Sequence, residues 1–502
     1  MTRYDAVIIG SGPTGGYAAK TLSEAGLRVL VLEAGKPSIE SRTLAAYDAA
    51  RRRLGYRIEE DPAAVRRQRV QSSCYAWPTD PHAFVDDEMQ PCTTDPDRPF
   101  VWLRCRRVGG RMTVRRHGLQ FYRFSDLDFK AGERDGASES WPIGFADLEP
   151  YYERVERWMQ LRGTRDGLPQ LPDSVLAEET APPPTIAMLA AGLRRTWADR
   201  QAIPCRTAAP PVPIHDAVRT GRTTLRTNAI VTHVLTDTRT GRASGVRYVD
   251  RWTRRPKEAH ARIVVLCASS IESARLLLAS ATPQHPAGLG NSSGLLGRFL
   301  MDHLHLAGVN GDVPIDEKDR RPAAWGYIPQ FRNVHANGVP FVRGYGVQVF
   351  TEGGQCGFTV FGEMLPHADN RVTLDPDVKD AWGVPAANVV CSLGENDRAM
   401  LRDAAGEAPA MMTAAGFRIW KSNTIPSAPG MASHEVGTAR MSRTPQTGVL
   451  NGFCQSWDVR NLFVMDGSCF VTQGVQNPTL TMLALAGRSC DYLIDSARRG
   501  DI

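Results

Sequence analysis

The chain has 502 residues, of which 42% are hydrophobic and 23% charged, which suits a globular protein of two or more domains. Its net charge is only +6 and its arginines are scattered, so we expect no nucleic-acid-binding surface. The sequence has no apolar run long enough for a membrane span, no room for a signal peptide before the first strand, and no metal or disulfide spacing among its ten cysteines. These features predict a reduced, cytoplasmic protein without a metal site.

The first predicted unit is a strand, helix and strand at the N-terminus. An apolar run at residues 6–9 ends in a glycine-rich turn, a helix with a small apolar face follows, and residues 28–33 form a second predicted buried strand. In such a unit Gly12 lets the backbone approach a pyrophosphate and Gly15 lets helix and strand pack closely. Glu33, at the end of the second strand, can hold a ribose hydroxyl. The pattern therefore predicts dinucleotide binding, and the acid disfavours a 2′-phosphate, which argues against NADP.

Two irregular stretches follow. Residues 71–100 are rich in Pro and Asp without regular periodicity, and we interpret them as a lid-like segment. The acidic residues of this segment either form a solvated surface, which is the commoner case, or attract a cationic substrate toward the site. Beyond the lid, Gly109 and Gly110 allow the backbone to lie close to something flat or charged.

The middle of the chain changes character near residue 310. Before it, short β-type runs at 225–268 lead into a strand and helix at 263–279, and His303 and His305 stand two positions apart. Such a pair can bind a metal, but the sequence offers no third ligand nearby, so structural roles are favoured. Residues 310–429 combine β-type runs with one helical stretch. We therefore predict a discontinuous nucleotide-binding domain, 1–309 and 430–502, with an inserted substrate-binding domain at 310–429 and the binding pocket between them.

The C-terminal region carries the reactive residue types. His434 opens a His-Glu-Val-Gly-Thr sequence, a short buried strand runs into Asp466 and Gly467, and an apolar pattern of helical spacing follows Pro478. Pro478 suits the first helical position and Asn477 suits the N-cap. Such a helix start aims N–H groups and a positive dipole end at a group that gains negative charge, such as a flavin on reduction.

Together these residues resemble the signature of the glucose–methanol–choline (GMC) oxidoreductases, which oxidise alcohols with FAD. In that family the His of the His-x-x-Gly-Thr motif is the catalytic base, and a second His or Asn follows further along the chain. His434 and Asn477 stand at matching positions. The Asn-Pro-Thr-Leu-Thr sequence from Asn477, and the segments at 124–129 and 141–143, are similar to the sugar-oxidising branch of glucoside 3-dehydrogenases, pyranose oxidases and C-glycoside oxidases.

The resemblance also implies how FAD is held. The family's Val-Gly-Gly segment, here including Gly109 and Gly110, lies beside the flavin, and some pyranose oxidases attach FAD to a His shortly after it. Val114 occupies that attachment position, which implies non-covalent FAD, and His117 comes three residues late. Arg116 replaces a small hydroxyl residue near the flavin. Further cofactor contacts are implied for the Val231 backbone, Asp466, Gly467, Pro478 and Thr479.

The sequence thus predicts an α/β fold: a Rossmann-like FAD-binding domain of the GMC and glutathione-reductase type with an inserted α+β domain on an antiparallel sheet. The expected reaction is oxidation of an alcohol, preferably a secondary hydroxyl of a sugar, glycoside or aminoglycoside. His434 takes the hydroxyl proton, being neutral near pH 7 if its pKa is close to the usual value of about 6.5, and Asn477 orients the oxygen. Oxygen, a quinone or a redox partner accepts the electrons. Two alternatives stay open, a NAD-dependent reductase and a non-catalytic FAD-binding subunit.

Overall fold

The computed structural model describes residues 4–114, 120–209, 212–314, 323–335 and 338–502. Arg116 and His117 lie outside these described residues. The described helices are α1 (Pro13–Glu24), α2 (Ser38–Arg53), α3 (Pro62–Arg67), α4 (Asp126–Phe129), α5 (Ala131–Asp135), α6 (Phe145–Met159), α7 (Pro184–Thr196), α8 (Pro213–Arg219), α9 (Ser270–Ala279), α10 (Glu395–Ala414) and α11 (Thr479–Arg499).

The strands from the first half of the chain are β1 (Tyr4–Ile9), β2 (Val29–Leu32), β3 (Cys92–Thr94), β4 (Arg162–Gly163), β5 (Glu178–Glu179), β6 (Ile203–Pro204), β7 (Thr223–Arg226), β8 (Ala229–Asp237) and β9 (Arg242–Asp250). Those from the second half are β10 (Pro256–Leu266), β11 (Leu304–Asp312), β12 (Ala324–Ile328), β13 (Tyr345–Glu352), β14 (Gln355–Gly362), β15 (Arg371–Lys379), β16 (Pro385–Val390), β17 (Arg418–Pro426) and β18 (Leu462–Val464).

The first large sheet contains seven strands in the order β7-β2-β1-β10-β9-β8, with β18 beside β10. Strands β7, β2, β1, β10 and β18 run parallel to their neighbours, whereas β8, β9 and the start of β10 form an antiparallel ribbon. Side chains of β1 and β2 are almost fully buried because a parallel sheet is covered on both faces. This sheet, with α1 following β1 through a glycine-rich turn, confirms the predicted Rossmann-like unit.

The second large sheet is antiparallel, with six strands in the order β17-β11-β14-β13-β12-β6. Helix α10 packs against β11, β14 and β17 of this sheet. The sheet confirms the α+β character predicted for the second half of the chain. Two outside segments also join the strands of the predicted insert: β6 pairs with β12, and β3 pairs with β16 in a separate three-stranded sheet. The domain boundaries at 310 and 429 remain a proposal.

The lid-like segment at 71–100 consists of short turns and β3 and is held by its own acidic residues. Asp86 accepts two hydrogen bonds from the Arg67 guanidinium (2.9 and 2.7 Å), and Asp87 accepts from Val70 N (2.8 Å) and Arg104 Nη2 (3.3 Å). These two carboxylates therefore have a structural role: they bind the segment to the residues on either side of it. In the part of the chain described, no helix has the length and apolar character needed to cross a membrane.

Candidate active site

The glycine-rich turn after β1 forms the nucleotide end of a long cleft. A Cβ on Gly15 would lie 2.1 Å from the Gly10 carbonyl oxygen, so only glycine allows α1 to pack this closely against the turn. A Cβ on Gly12 would meet no protein atom within 4 Å, although Gly12 lines the cleft. Gly15 therefore serves packing, and Gly12 leaves space for a ligand.

Glu33 lies at the end of β2 and faces the cleft with only 6% of its surface exposed. Its carboxylate accepts hydrogen bonds from Ser11 N (3.0 Å), Ser11 Oγ (2.6 Å) and Gly35 N (2.6 Å). Glu33 thus also holds the glycine turn in shape, which the sequence pattern alone does not predict. Val231, at the start of β8, lines the same end of the cleft.

The second glycine pair touches the first turn. Gly109 and Gly110 have φ angles of +84° and +68°, in the region that favours glycine. Gly109 N donates to Ser11 Oγ (3.3 Å), and a Cβ on Gly110 would lie 3.0 Å from Gly12 Cα. Gly110 lines the cleft, whereas Gly109, like Gly15, supports the wall from behind.

The turn after β18 forms the next part of the wall. Asp466 is 4% exposed and accepts hydrogen bonds from Ser269 N (3.0 Å), Ser273 Oγ (2.6 Å) and Ser468 N (2.9 Å). Burial raises the pKa of this carboxyl. Asp466 and Gly467 both line the cleft, where they join the start of α9 to the C-terminal segment.

The start of α11 opens into the cleft, but its cap differs from the expected one. The helix begins at Thr479 with Pro478 as the N-cap, so the prediction that Asn477 caps it is wrong by one position. The physical reason is that the Asn477 amide bonds to other side chains and makes no capping bond. Met482 N donates to the Pro478 carbonyl (2.9 Å), and Pro478, Thr479 and Met482 line the cleft. The N–H groups of the first turn point out of this helix end.

His434 and Asn477 meet at the other end of the cleft. Asn477 Nδ2 lies 3.3 Å from His434 Nε2, and Asn477 Oδ1 accepts a hydrogen bond from Gln348 Nε2 on β13 (2.9 Å). On its far side, His434 Nδ1 lies 2.8 Å from His303 Nδ1, and His303 Nε2 lies 2.9 Å from the Gly474 carbonyl. Burial lowers the pKa of His303 to about 4.

The backbone of His434 is fixed by the residue that precedes His303. Asp302 is fully buried, and it accepts hydrogen bonds from His434 N (2.8 Å), Gly430 N (2.8 Å) and Ala432 N (3.1 Å). Burial, followed by the nearby Glu435 carboxylate, raises the pKa of Asp302 to about 7. The dipeptide 302–303 therefore holds both the main chain and the ring of His434.

One continuous cleft connects the glycine-rich turns with His434 and Asn477. Its empty volume is about 1570 Å³, part of it open to solvent. The cleft brings together ten of the twelve residues that the sequence predicts to be catalytic or to contact the cofactor. These are Gly12, Glu33, Gly110, Val231, His434, Asp466, Gly467, Asn477, Pro478 and Thr479.

Comparison with known proteins identifies the family. Residues 209–305 and 366–486 match the two family models for GMC oxidoreductases. Residues 8–58 match the model for an NAD(P)-binding Rossmann-like domain. The chain is 31% identical to 2-methyl-1,2-propanediol dehydrogenase from Mycolicibacterium austroafricanum, across 99% of this chain and 96% of that protein. This chain belongs to the GMC oxidoreductase family. The resemblance predicted from His434 and Asn477 is thereby confirmed.

Two further similarities agree with this assignment. The chain is 28% identical to 6'''-hydroxyparomomycin C oxidase from Streptomyces lividus, across 97% of this chain and 90% of that protein. The solved structure of pyridoxine 4-oxidase from Mesorbium loti has a TM-score of 0.62 at 19% identity, over 98% of this chain and 99% of that one, and so shares the fold. As a GMC oxidoreductase, the protein is an enzyme that oxidises CH–OH groups with FAD. A NAD-dependent reductase and a non-catalytic subunit are not favoured.

Two features of the cleft are suited to bind FAD. The space in front of Gly12 suits a pyrophosphate, and the cleft has an arginine in its wall with hydrogen-bonding capacity left over. Arg106 Nη2 donates to Glu272 (3.2 Å), while Arg106 Nη1 is buried without a hydrogen-bond partner among the described residues. A guanidinium N–H in this position matches the charge of a phosphate group. Sequence reasoning did not single out Arg106, because arginines are numerous along the whole chain.

Sequence reasoning also missed what surrounds the reactive pair in this GMC oxidoreductase. His303 was expected to be structural, yet its ring contacts the ring of His434. Gln348 comes from the predicted insert and contacts Asn477. Neither residue has a local sequence signal, because its partner lies more than a hundred positions away in the chain. For the other member of the histidine pair, His305, Nδ1 lies 2.7 Å from Ser427 Oγ. Within the described residues no group of side chains is suited to bind a metal ion.

Proposed function

We propose that this GMC oxidoreductase oxidises a secondary hydroxyl of a sugar, glycoside or aminoglycoside to a carbonyl. The observation that carries the proposal is the pair of nitrogens, His434 Nε2 and Asn477 Nδ2, that lie 3.3 Å apart at one end of the cofactor cleft. Two nitrogens at this spacing can both reach one hydroxyl oxygen, which is the geometry that a base and an orienting amide require.

In the proposed mechanism His434 Nε2 takes the hydroxyl proton while the Asn477 amide holds the oxygen by donating an N–H. Bound FAD would supply the oxidising chemistry by accepting a hydride from the carbon that carries this hydroxyl. The first turn of α11, at Pro478 and Thr479, would stabilise the negative charge that enters the cleft with the hydride. Loss of a proton and a hydride converts the alcohol to a carbonyl, so the step is balanced.

We propose that the other end of the cleft holds FAD without a covalent bond. The Gly12 and Gly110 backbone would lie beside the pyrophosphate, Glu33 and Val231 beside the adenosine, and Asp466 and Gly467 beside the ribityl chain. Support for non-covalent binding comes from Val114 at the attachment position, because an aliphatic side chain cannot form the link. Acid precipitation should release all the flavin into the supernatant. A yellow protein pellet would contradict this, and would direct attention to His117.

The substrate class rests on the Asn-Pro-Thr-Leu-Thr motif and on the relative named for 6'''-hydroxyparomomycin C, an aminoglycoside. The other relative is named for a small diol, so the test must separate the two classes. We would mix the enzyme anaerobically with sugars, glycosides, aminoglycosides and 2-methyl-1,2-propanediol, and follow bleaching of the flavin absorbance. Bleaching by a carbohydrate and not by the diol is the expected result. Bleaching by the diol alone would contradict the carbohydrate assignment, and no bleaching by any alcohol would favour a non-catalytic subunit.

The same reduced enzyme tests the electron acceptor. We propose oxygen, a quinone or a protein redox partner, and these differ in how they restore the absorbance of oxidised flavin. Admitting air and adding a quinone in separate experiments, and comparing the rates, distinguishes an oxidase from a dehydrogenase. We also propose a reducing compartment such as the cytoplasm, on the ground that all ten cysteines are free thiols.

A further inference from the structure

A chain of hydrogen-bonding groups passes through the reactive pair. It runs from the Gly474 carbonyl to His303 Nε2 (2.9 Å), from His303 Nδ1 to His434 Nδ1 (2.8 Å), from His434 Nε2 to Asn477 Nδ2 (3.3 Å) and from Asn477 Oδ1 to Gln348 Nε2 (2.9 Å). Adjacent groups share these contacts, so the positions of the protons along the chain depend on one another.

The Gly474 end fixes the direction of the chain. A carbonyl oxygen can only accept a hydrogen bond, so His303 Nε2 must carry a hydrogen. Burial lowers the pKa of His303 to about 4, so near neutral pH its ring carries one proton only, and His303 Nδ1 has a lone pair. The 2.8 Å contact then requires a hydrogen on His434 Nδ1. The reverse arrangement would place a lone pair of His303 Nε2 against the lone pairs of the Gly474 carbonyl.

The other end of the chain agrees with this direction. With a hydrogen on Nδ1, neutral His434 has a lone pair on Nε2, and Asn477 Nδ2 faces that atom as a donor. The Asn477 amide is oriented so because its Oδ1 accepts from Gln348 Nε2. The amide orientation at Asn477 and Gln348 therefore matches the proton positions that the Gly474 carbonyl requires.

Packing restricts the His434 ring to this arrangement. The rings of His303 and His434 stand at 86° with centroids 5.0 Å apart, and Phe361 packs near both, at 6.0 and 5.4 Å. The His434 main chain is held by Asp302, the neighbour of His303, through the bond from His434 N (2.8 Å). Rotation of the His434 ring would break the contact to His303 and disturb the packing against Phe361.

We propose that His303 is a positioning residue that selects the tautomer of His434. By accepting a hydrogen bond from His434 Nδ1, His303 keeps the lone pair of His434 Nε2 directed toward the cleft. Gln348 orients the Asn477 amide toward the oxygen of the same substrate hydroxyl. When the substrate hydroxyl gives its proton to His434 Nε2, the bond from Nδ1 to His303 is already in place. The role in catalysis rests on the proposed function, whereas the tautomer does not.

The first test is a direct measurement on the holoenzyme. In protein labelled with ¹⁵N-histidine, two-bond ¹H–¹⁵N correlation spectra show which ring nitrogen carries the hydrogen. Signals are assigned by their loss in His434→Ala and in His303→Leu. We expect the Nδ1–H form for His434 and the Nε2–H form for His303 near neutral pH. An Nε2–H form of His434 in the wild-type enzyme would overturn the proposal.

The second test compares two variants of similar size. His303→Leu removes the acceptor, and His303→Asn keeps an acceptor oxygen close to the position of Nδ1. We expect His303→Leu to lose the Nδ1–H signature of His434 and to slow flavin reduction about tenfold, the size of one buried hydrogen bond. FAD content and substrate affinity should change little. His303→Asn should keep the signature and react within about threefold of wild type.

The outcomes separate the two proposals. If His303→Leu keeps both the His434 signature and the wild-type rate, His303 has no positioning role. If the wild type has the expected tautomers but no alcohol reduces its flavin, the proposed function fails while the assignment of the His434 tautomer stands.

Discussion

The two ends of the cleft are built in different ways. The nucleotide end is made by the backbone of short continuous segments, in which Gly12 faces open space and Gly110 packs closely against Gly12. The reaction end is made by single side chains that different parts of the chain contribute, among them His303, Gln348 and His434. The first end depends mainly on close backbone packing at glycines, and the second depends on side-chain contacts between distant segments. Substitutions should therefore affect FAD binding at one end and chemistry at the other.

The largest effect is expected at the reaction end, from His434→Ala. Removal of a general base slows a reaction by about 100-fold or more, so anaerobic flavin reduction by the substrate should slow by that amount. FAD content should stay at the wild-type level, because the glycine turns that hold the cofactor are unchanged. Stopped-flow absorbance measures the rate. Unchanged kinetics would remove His434 from the mechanism, and loss of FAD would contradict the separation of the two ends.

The sequence predicts these two ends unequally well, for a physical reason. Turn conformation and helix packing depend on neighbouring residues, so Gly12, Gly15 and Glu33 can be placed from spacing alone. The pair of His434 and Asn477 was found only through the family motif. The supports of that pair, at His303 and Gln348, are set by tertiary packing between distant segments, which no local pattern encodes.

The same difference explains the misplaced helix cap. Asn is a preferred N-cap residue, and Pro478 suits the first helical position, so local propensity favours Asn477 as the cap. In the structure Asn477 bonds to Gln348 and faces His434, and the helix begins one residue later. The Asn477 amide is used in a long-range contact, so a capping bond, worth typically about 1 kcal/mol, is not made.

At the nucleotide end, Gly12→Ala and Gly15→Ala form a matched pair that differs in what the added methyl group meets. On Gly15 it would lie 2.1 Å from the Gly10 carbonyl oxygen, so the apoprotein itself should lose about 1–3 kcal/mol of stability, and FAD affinity should fall with it. On Gly12 it would meet no protein atom within 4 Å, so the apoprotein should melt close to wild type while FAD affinity falls about tenfold or more.

Thermal unfolding of the apoproteins and FAD titration by fluorescence measure both quantities. Equal FAD affinity in Gly12→Ala and wild type would mean that the cofactor does not approach this turn. A wild-type melting temperature for apo Gly15→Ala would contradict the packing role.

A smaller effect concerns pH and the histidines of the reaction end. Burial lowers the pKa of His305 to about 4, below the usual value of about 6.5 that it regains on unfolding. As the pH falls, His305 therefore takes up a proton in the unfolded chain before it does so in the folded protein. The folded state is stabilised by the neutral ring above pH 6.5, and this stabilisation is lost as the pH falls toward 4. In His305→Asn, which keeps a polar group near Ser427, this titration is absent. The melting temperature of the variant should fall less than that of wild type between pH 7.5 and 5, by about 2 °C.

The difference between the two proteins isolates His305, because Asp302 titrates in both. The pKa of Asp302 is raised to about 7 by burial, so its contribution has the opposite sign: it is present at low pH and lost as the pH rises through 7. Parallel melting curves for wild type and His305→Asn across this range would mean that His305 takes up its proton as easily in the folded state as in the unfolded one.

The smallest expected effect joins the two ends of the cleft, because α11 begins between them. Pro478 has φ −76°, close to the value that its ring fixes, and it sets the direction of the first turn. Pro478→Gly removes that restriction at a cost of about 1 kcal/mol of backbone order, so the N–H groups of Thr479 and Leu480 should be less well aimed into the cleft. The helix end should then stabilise negative charge on the reduced flavin less well.

If about 0.5–1 kcal/mol of this stabilisation is lost, the two-electron midpoint potential falls by roughly 10–20 mV, and substrate-driven reduction slows a few-fold. Affinity for oxidised FAD should change little, because the oxidised ring carries no added negative charge. Redox titration of both proteins against a reference dye measures the shift, and Thr479→Ser, which leaves the Pro478 backbone as it is, serves as the control. Equal potentials for Pro478→Gly and wild type would mean that the start of α11 does not act on the flavin ring, and the charge would then have to be stabilised by side chains of the reaction end.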